Sequence, residues 1–217
     1  MFTFGFGVAD RPLQRLLVVG AHSDDIEIGC GGTLLRLIET YPSLEVCWAV
    51  MSARGDRVDE ARSSAEAMLA PLSRKDIVIG SFRDAFLPYE GAAVKDHFEQ
   101  LKTRIQPDVI LTHFGRDAHQ DHRLISELTW NTFRDHPIFE FEIPKYDGDL
   151  GAPNLFVRLE EHHARGKVEH LMRHFPSQRG KRWFNEDLFQ SLMRLRGMEA
   201  NAQSRFAEAF YCRKIVI

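Results

Sequence analysis

The stretch Leu16-Leu17-Val18-Val19-Gly20-Ala21-His22-Ser23-Asp24-Asp25-Ile26-Glu27-Ile28-Gly29-Cys30-Gly31-Gly32 decides the fold. Its first four residues are continuously apolar, as expected of a strand buried on both faces. A polar cluster follows at once, then glycines, then a helical pattern from Thr33 to Thr40 that breaks at Tyr41-Pro42. Strand, polar turn and helix in that order form the opening of a βαβ unit. The same alternation continues outward. Strands are expected at Glu45 to Met51, Asp76 to Ile79 and Asp108 to Thr112, and helices at Asp59 to Leu69, Val94 to Ile105 and His122 to Arg134. Such alternation predicts a Rossmann-like α/β fold, mostly parallel, with right-handed crossovers and flanking helices.

After His136-Pro137 the pattern changes. Residues 138–154 are rich in Pro, Gly and Asp and read as a long loop. A strand at Leu155 to Leu159, helices near 164–175 and 186–197, and a final strand at Phe210 to Ile217 complete the expectation. The chain therefore reads as one domain over 1–217, with a core over 1–135 and an elaboration over 136–217. The tail is expected either to join the same sheet or to form a cap. The last strand either closes the sheet or pairs between subunits of a homo-oligomer.

The chain has 217 residues, with 28 Lys+Arg against 31 Asp+Glu, a formal net charge of −3. Hydrophobic residues make up 44% and charged residues 27%. That balance excludes disordered, collagen-like and coiled-coil chains and argues against non-specific nucleic-acid binding. Cys30, Cys47 and Cys212 form no CxxC pair and no disulfide framework. No apolar run approaches the ~20 residues of a membrane span. The segment Met1 to Pro12 starts apolar but lacks the basic region of a signal peptide, so a cytoplasmic protein is expected.

Ligands of open α/β sheets bind beyond the carboxyl ends of the strands. Two polar clusters occupy such places: His22 to Glu27 after the first strand, and His113 to His122 after the fourth. Their histidines and carboxylates suit a metal. His22 and Asp25 are three apart, as are His119 and His122. Two His plus one carboxylate leave coordination positions open for water or substrate. A further carboxylate beside them, such as Asp24, fits a general base. The plainer alternative is a helix cap and solvated loop side chains. A dinucleotide fingerprint is excluded, because its third glycine position is Leu34 and an acidic cluster lies where a pyrophosphate would sit.

His22-Ser23-Asp24-Asp25-Ile26-Glu27, followed by Gly29-Cys30-Gly31-Gly32-Thr33, resembles the His-Pro-Asp-Asp-x-Glu…Gly-Gly signature of the PIG-L/LmbE-like de-N-acetylases. His119-Gln120-Asp121-His122 resembles that family's His-x-Asp-His motif. The resemblance covers residues 14–135 well and the tail loosely. Ser23 departs from the family's proline and removes no ligand. The resemblance implies a Rossmann-like fold and a Zn²⁺ site formed by His22, Asp25 and His122. It implies Asp24 as general base, His119 as the group that steadies the oxyanion, and Asp121 as the residue that orients His119. Glu27 is expected to support the metal loop. Arg57 and Asp84 are implied as substrate-binding residues, with a helix-start salt bridge as the alternative for Arg57.

The activity implied is removal of acetyl from an N-acetylated amino sugar or its conjugate, a small-molecule substrate. A mononuclear non-haem Fe(II) enzyme and a catalytically silent sugar-binding protein are the competing readings. His113 reads as a structural or supporting residue. His162, His163, His170 and His174 read as solvent-facing or packing residues. The basic stretch Arg173 to Trp183 either lines the entrance and grips an anionic aglycone or is a solvated loop.

Overall fold

The computed structural model describes residues 5–7 and 12–216. Most of the segment Met1 to Pro12 and the terminal Ile217 lie outside the described residues. Seven strands and six α-helices follow in the order β1 (Arg15–His22), α1 (Asp25–Thr40), β2 (Glu45–Ser52), α2 (Asp56–Met68), β3 (Arg74–Ile79), α3 (Gly91–Arg104), β4 (Val109–His113), α4 (Gln120–Thr132), β5 (Ile138–Phe141), β6 (Leu155–Leu159), α5 (Glu161–His174), α6 (Glu186–Glu199) and β7 (Phe206–Cys212). Short 3-10 turns precede α3 at Leu87–Glu90 and follow α5 at Pro176–Gln178.

The strands form one sheet in the order β3-β2-β1-β4-β5-β7-β6. Strands β1 to β5 are mutually parallel, and β7 runs antiparallel between β5 and β6. The chain winds outward from β1 in both directions, so β1 and β4 flank the switch point where such sheets bind ligands. Strand β1 is central, and its side chains alternate between two apolar layers. Leu16 and Val18 join the layer beneath α1, α2, α5 and α6. Leu17, Val19 and Ala21 join the layer beneath α3 and α4. Each such leucine or valine side chain, removed from water, contributes roughly 1.5–3 kcal/mol.

Helix α1 begins eight residues earlier than the sequence pattern predicts, at Asp25 rather than Thr33. The glycines are the reason. They are not a break but the place where the helix kinks, at Cys30 with φ −145° and ψ 19°. A Cβ on Gly29 would lie 2.3 Å from the Phe141 ring, and one on Gly32 would lie 2.6 Å from Leu159. The tail repairs the kink. Lys167 Nζ donates to the Ile28 carbonyl at 2.6 Å, while Glu208 accepts the Gly32 and Thr33 N–H groups at 3.0 and 2.6 Å.

Two further expectations are corrected. Residues 138–141 are not loop but β5, fully buried and paired in register with β4. Four residues between Pro137 and a Pro/Gly/Asp-rich stretch leave almost no compositional signal. The last strand lies at Phe206–Cys212 rather than Phe210 to Ile217. Alternating Ala207 and Ala209 hid its start. Both its edges are paired inside the chain, so the tail completes the sheet. No helix among the described residues is long and apolar enough to cross a membrane.

Candidate metal centre

Four backbone segments converge at the carboxyl ends of the parallel strands. His22 ends β1, Asp24 and Asp25 open α1, His113 ends β4, and His119 to His122 open α4. The segment after β3 closes the group with Asp84 and Ala85. All eight residues singled out by sequence lie in one connected cluster.

At its centre is a triangle of donor atoms. His22 Nδ1 lies 3.2 Å from Asp25 Oδ2, His122 Nε2 lies 3.4 Å from the same oxygen, and the two nitrogens are 3.3 Å apart. Ligands about 2.1 Å from a tetrahedral ion stand roughly 3.4 Å apart, so the triangle has the dimensions of three ligands around one ion. The far side of each ring fixes its proton. His22 Nε2 meets Asp121 Oδ2 at 3.1 Å, and His122 Nδ1 meets Asp117 Oδ2 at 3.0 Å. With an N–H aimed at each outer carboxylate, each ring when neutral turns its lone pair inward, toward Asp25. Two imidazole nitrogens and a carboxylate oxygen that face one point suit a cation. The same neighbours shift the titration of these groups. Burial opposes charge on His22, yet Asp25, Asp121 and Asp84 raise its pKa well above the ordinary value. Burial alone would raise Asp25, but His122, His22 and His113 hold it well below.

Asp24 sits beside this triangle, buried, with its Oδ1 2.6 Å from Arg57 Nη2. Burial raises its pKa and the guanidinium restrains the rise. Arg57 also reaches Ser177 Oγ at 3.4 Å and Glu60 at 3.5 Å, and Glu60 accepts the Ser177 N–H and O–H at 2.8 and 2.7 Å. The turn at Pro176–Gln178 thus belongs to the site's wall. The basic side chain of Arg179 is spent locally on the Met172 carbonyl.

His119 stacks on His122 with ring centroids 4.6 Å apart. Its Nδ1 accepts the Asp121 backbone N–H at 3.2 Å, which leaves an N–H at Nε2. Burial and the neighbouring His122 and His22 lower its pKa, so it is a neutral donor rather than a cation. The Asp121 carboxylate does not meet His119 as the resemblance implied. One residue into α4, it turns instead to His22 and to the Ala85 and Leu87 N–H groups, at 2.8 and 3.2 Å. Ala85 holds a left-handed φ of 62°, which those bonds keep in place. Asp84 Oδ1 approaches His22 Nε2 at 3.1 Å from the solvent side.

Glu27 lies two residues beyond Asp25 in α1, buried and bonded by the Ser64 hydroxyl, and burial pushes its pKa up to about 8. Of the two supporting residues, Asp117 carries no assigned role from sequence, whereas His113 is the structural or supporting residue expected there. Asp117 holds His122, with a pKa of about 2: burial would raise it, and the His122 bond more than offsets that. His113, fully buried, stacks on His122 at 3.9 Å and lies 3.2 Å from Asp25. The signal for Asp117 was present, since it is five residues before His122 in the same polar cluster. The distal histidines are structural neighbours of other elements: His162 and His163 both meet Glu39, and His170 meets Ser64.

The fold and this centre define an α/β protein with a candidate metal centre at the carboxyl ends of its parallel strands. Residues 17–133 match the family described as PIG-L: GlcNAc-PI de-N-acetylase. That is more than half of the chain, and the chain belongs to this family. An Escherichia coli (strain K12) relative described as uncharacterized deacetylase YaiS is 28% identical over 169 residues, covering 74% of this chain and 90% of its own. The N,N'-diacetylchitobiose deacetylase of Pyrococcus horikoshii superposes with a TM-score of 0.69 at 21% identity, over 92% of this chain and 84% of its own. The 4-carboxy-2-hydroxymuconate hydratase GalB of Pseudomonas putida KT2440 superposes with a TM-score of 0.73 at 16% identity, over 94% and 98%. The shared architecture therefore carries more than one chemistry, and the site residues must decide which.

Proposed function

We propose that this chain is a Zn²⁺-dependent hydrolase that removes the acetyl group from an N-acetylated amino sugar or its conjugate. The observation that carries the reading is the inward-facing triangle of His22 Nδ1, Asp25 Oδ2 and His122 Nε2 with buried Asp24 next to it. Two imidazoles and one carboxylate fit a catalytic zinc, and their outer carboxylates Asp121 and Asp117 complete the support such ligands require. Zinc bound there supplies a Lewis acid for the amide carbonyl and a water of lowered pKa.

The chain's own groups do the rest. Asp24, made more basic by burial, takes the proton of the attacking water. His119 donates its Nε2 hydrogen to the carbonyl oxygen as negative charge develops there. Asp24 then returns its proton to the amine as the C–N bond breaks, which yields acetate and a free amino sugar. Arg57, partly buried beside Asp24, and Asp84, exposed at the mouth, hold sugar hydroxyls in this reading. The donor set alone also admits Fe(II), but Asp24 would have no proton to carry in an oxygenase.

The test is acetate release from N-acetylglucosamine and its nucleotide-, lipid- and aminoglycoside-linked conjugates, with metal analysis of protein purified without added metal. Acetate and free amine should appear in equal amounts, stop on chelation and return with Zn²⁺. Release from none of these substrates would leave the silent binding protein. Iron as the bound metal, with oxygen consumption, would leave the oxygenase.

A further inference from the structure

Asp117 and Asp121 both stand behind metal-facing histidines, but they are held differently. Asp121 meets the His22 ring and the Ala85 and Leu87 N–H groups, with no ammonium or guanidinium against it among the described residues. Asp117 accepts the His119 N–H at Oδ1, at 2.7 Å. Its Oδ2 is shared. His122 Nδ1 lies 3.0 Å from that oxygen, and Lys145 Nζ lies 3.0 Å from the same oxygen.

Lys145 comes from the segment after β5, outside the two polar clusters that supply the metal-facing groups. Its ammonium also meets both oxygens of Asp149, at 2.7 and 2.5 Å. Asp149 in turn accepts the Ala118 N–H at 2.6 Å. The Lys145 side chain is 11% exposed and that of Asp117 is 3% exposed, so solvent ions screen this pair little. One buried ammonium is therefore divided between two carboxylates, and one of these holds a metal-facing ring.

That division has an electrostatic consequence. A carboxylate oxygen already drawn on by an ammonium is a weaker acceptor for an imidazole N–H. A histidine whose outer N–H is held less firmly is a less basic ligand. The ammonium also places a positive charge behind the ring, which opposes a cation in front of it. Both effects act in the same direction. We infer that Lys145 is a positioning residue that tunes the metal centre through Asp117 and His122. It lowers the affinity of the centre for its ion and keeps that ion electron-poor, and Asp149 sets how much of the ammonium reaches Asp117. This inference rests on the metal reading proposed above and adds its regulation by the tail; it does not depend on the substrate.

The test is Zn²⁺ affinity without substrate, measured at one fixed pH by competition with a chromophoric chelator. The unaltered protein is compared with Lys145→Met, Lys145→Arg, Asp149→Asn and the Lys145→Met, Asp149→Asn double variant. Lys145→Met should bind zinc about tenfold tighter. Lys145→Arg keeps the charge and should stay within about twofold of the unaltered protein. Asp149→Asn keeps an oxygen for the Ala118 N–H but leaves the whole ammonium to Asp117, so binding should weaken about threefold. The double variant should return toward the unaltered affinity. A clamp that only held the loop in place would lose affinity in Lys145→Met and in Asp149→Asn alike. Affinity that is unchanged or weaker in Lys145→Met, or that moves the same way in both variants, would overturn the inference. Denaturation of each zinc-free variant checks that it folds. Lys145→Gln, which offers Asp117 a neutral donor, replaces Lys145→Met if that variant does not fold, and the same rise is expected of it. If the unaltered protein binds no zinc, the metal centre itself has failed and the tuning falls with it.

Discussion

Residues 15–135 and 136–216 bury the same kinds of charged side chain to opposite ends. In the tail every buried ion is paired off. Glu208 accepts two backbone N–H groups and the Lys167 ammonium, and the Arg196 fork meets both oxygens of Glu142 at 2.7 Å. In the core, His22 Nδ1, Asp25 Oδ2 and His122 Nε2 converge on one point, and Asp25 Oδ2 also accepts the His22 backbone N–H at 2.7 Å. A satisfied network fixes structure, whereas ligand atoms that converge on one point suit a metal. Burial and charge do not tell the two apart; the direction in which the ligand atoms face does.

The largest effect should come from breaking the convergent set. His122→Ala removes one vertex, and we expect zinc content and acetate release to fall together, the latter by more than about 10³-fold. Full zinc and full turnover in that variant would remove His122 from the centre. Asp24→Asn is the sharper companion. Zinc and fold should remain, while kcat drops ~10²–10⁴-fold, the usual cost of losing a general base. A drop below about fivefold would make Asp24 only the partner of Arg57.

Breaking a satisfied pair should cost stability rather than chemistry. Lys167→Met strands the Glu208 carboxylate in an apolar interior, which typically costs about 3–5 kcal/mol. The denaturation midpoint should fall accordingly while metal stoichiometry stays at one per chain. Loss of zinc without loss of stability would instead place Lys167 in the site's own machinery. Asp117→Asn lies between the two cases, because Asp117 is satisfied yet holds a ligand. Zinc affinity should weaken about 10–100-fold, with little change in the stability of the zinc-free protein. An unchanged affinity would show that His113 stacking orients His122 alone.

The core was far more legible in sequence than the tail, for physical reasons. Strands β1, β2 and β4 are buried on both faces and read as apolar runs, and the polar clusters after β1 and β4 interrupt those runs sharply. Strand β5 carries the same pairing in four residues, one of them Glu140, whose carboxylate accepts the Gly115 and Trp130 N–H groups. A buried acid in a short run looks like loop until its partners are known. The site was legible as composition and spacing, which brought together His22, Asp24, Asp25, His119 and His122. The carboxylate assignments were not. Asp121 on His22 and Asp117 on His122 depend on how α4 is rotated, and neighbouring positions in sequence do not fix that. Ser177 was hidden for the same reason, since only tertiary packing carries the turn after α5 to Arg57 and Glu60.

The smallest effect is the titration of one buried histidine. In the core, carboxylates raise His22 and His122, while burial lowers His113 and His119. In the tail, His170 faces the Ser64 hydroxyl, with His174 and Arg173 nearby, and has no carboxylate partner. Burial first, then those two groups, lowers its pKa to about 4. The folded value is therefore below the unfolded value of about 6.5. Between those pH values the unfolded chain holds a proton that the folded chain does not, so stability rises with pH across the window. The contribution is complete above about pH 7 and is lost as pH falls toward 4, by roughly 3 kcal/mol at most. His170→Gln keeps a partner for Ser64 and cannot take up the proton. The stability difference between variant and unaltered protein should be flat above pH 7 and should shift in the variant's favour between pH 6.5 and 4. Parallel curves across that window would mean that His170 is as open to solvent in the folded protein as in the unfolded one, and the acid sensitivity would then belong to the core.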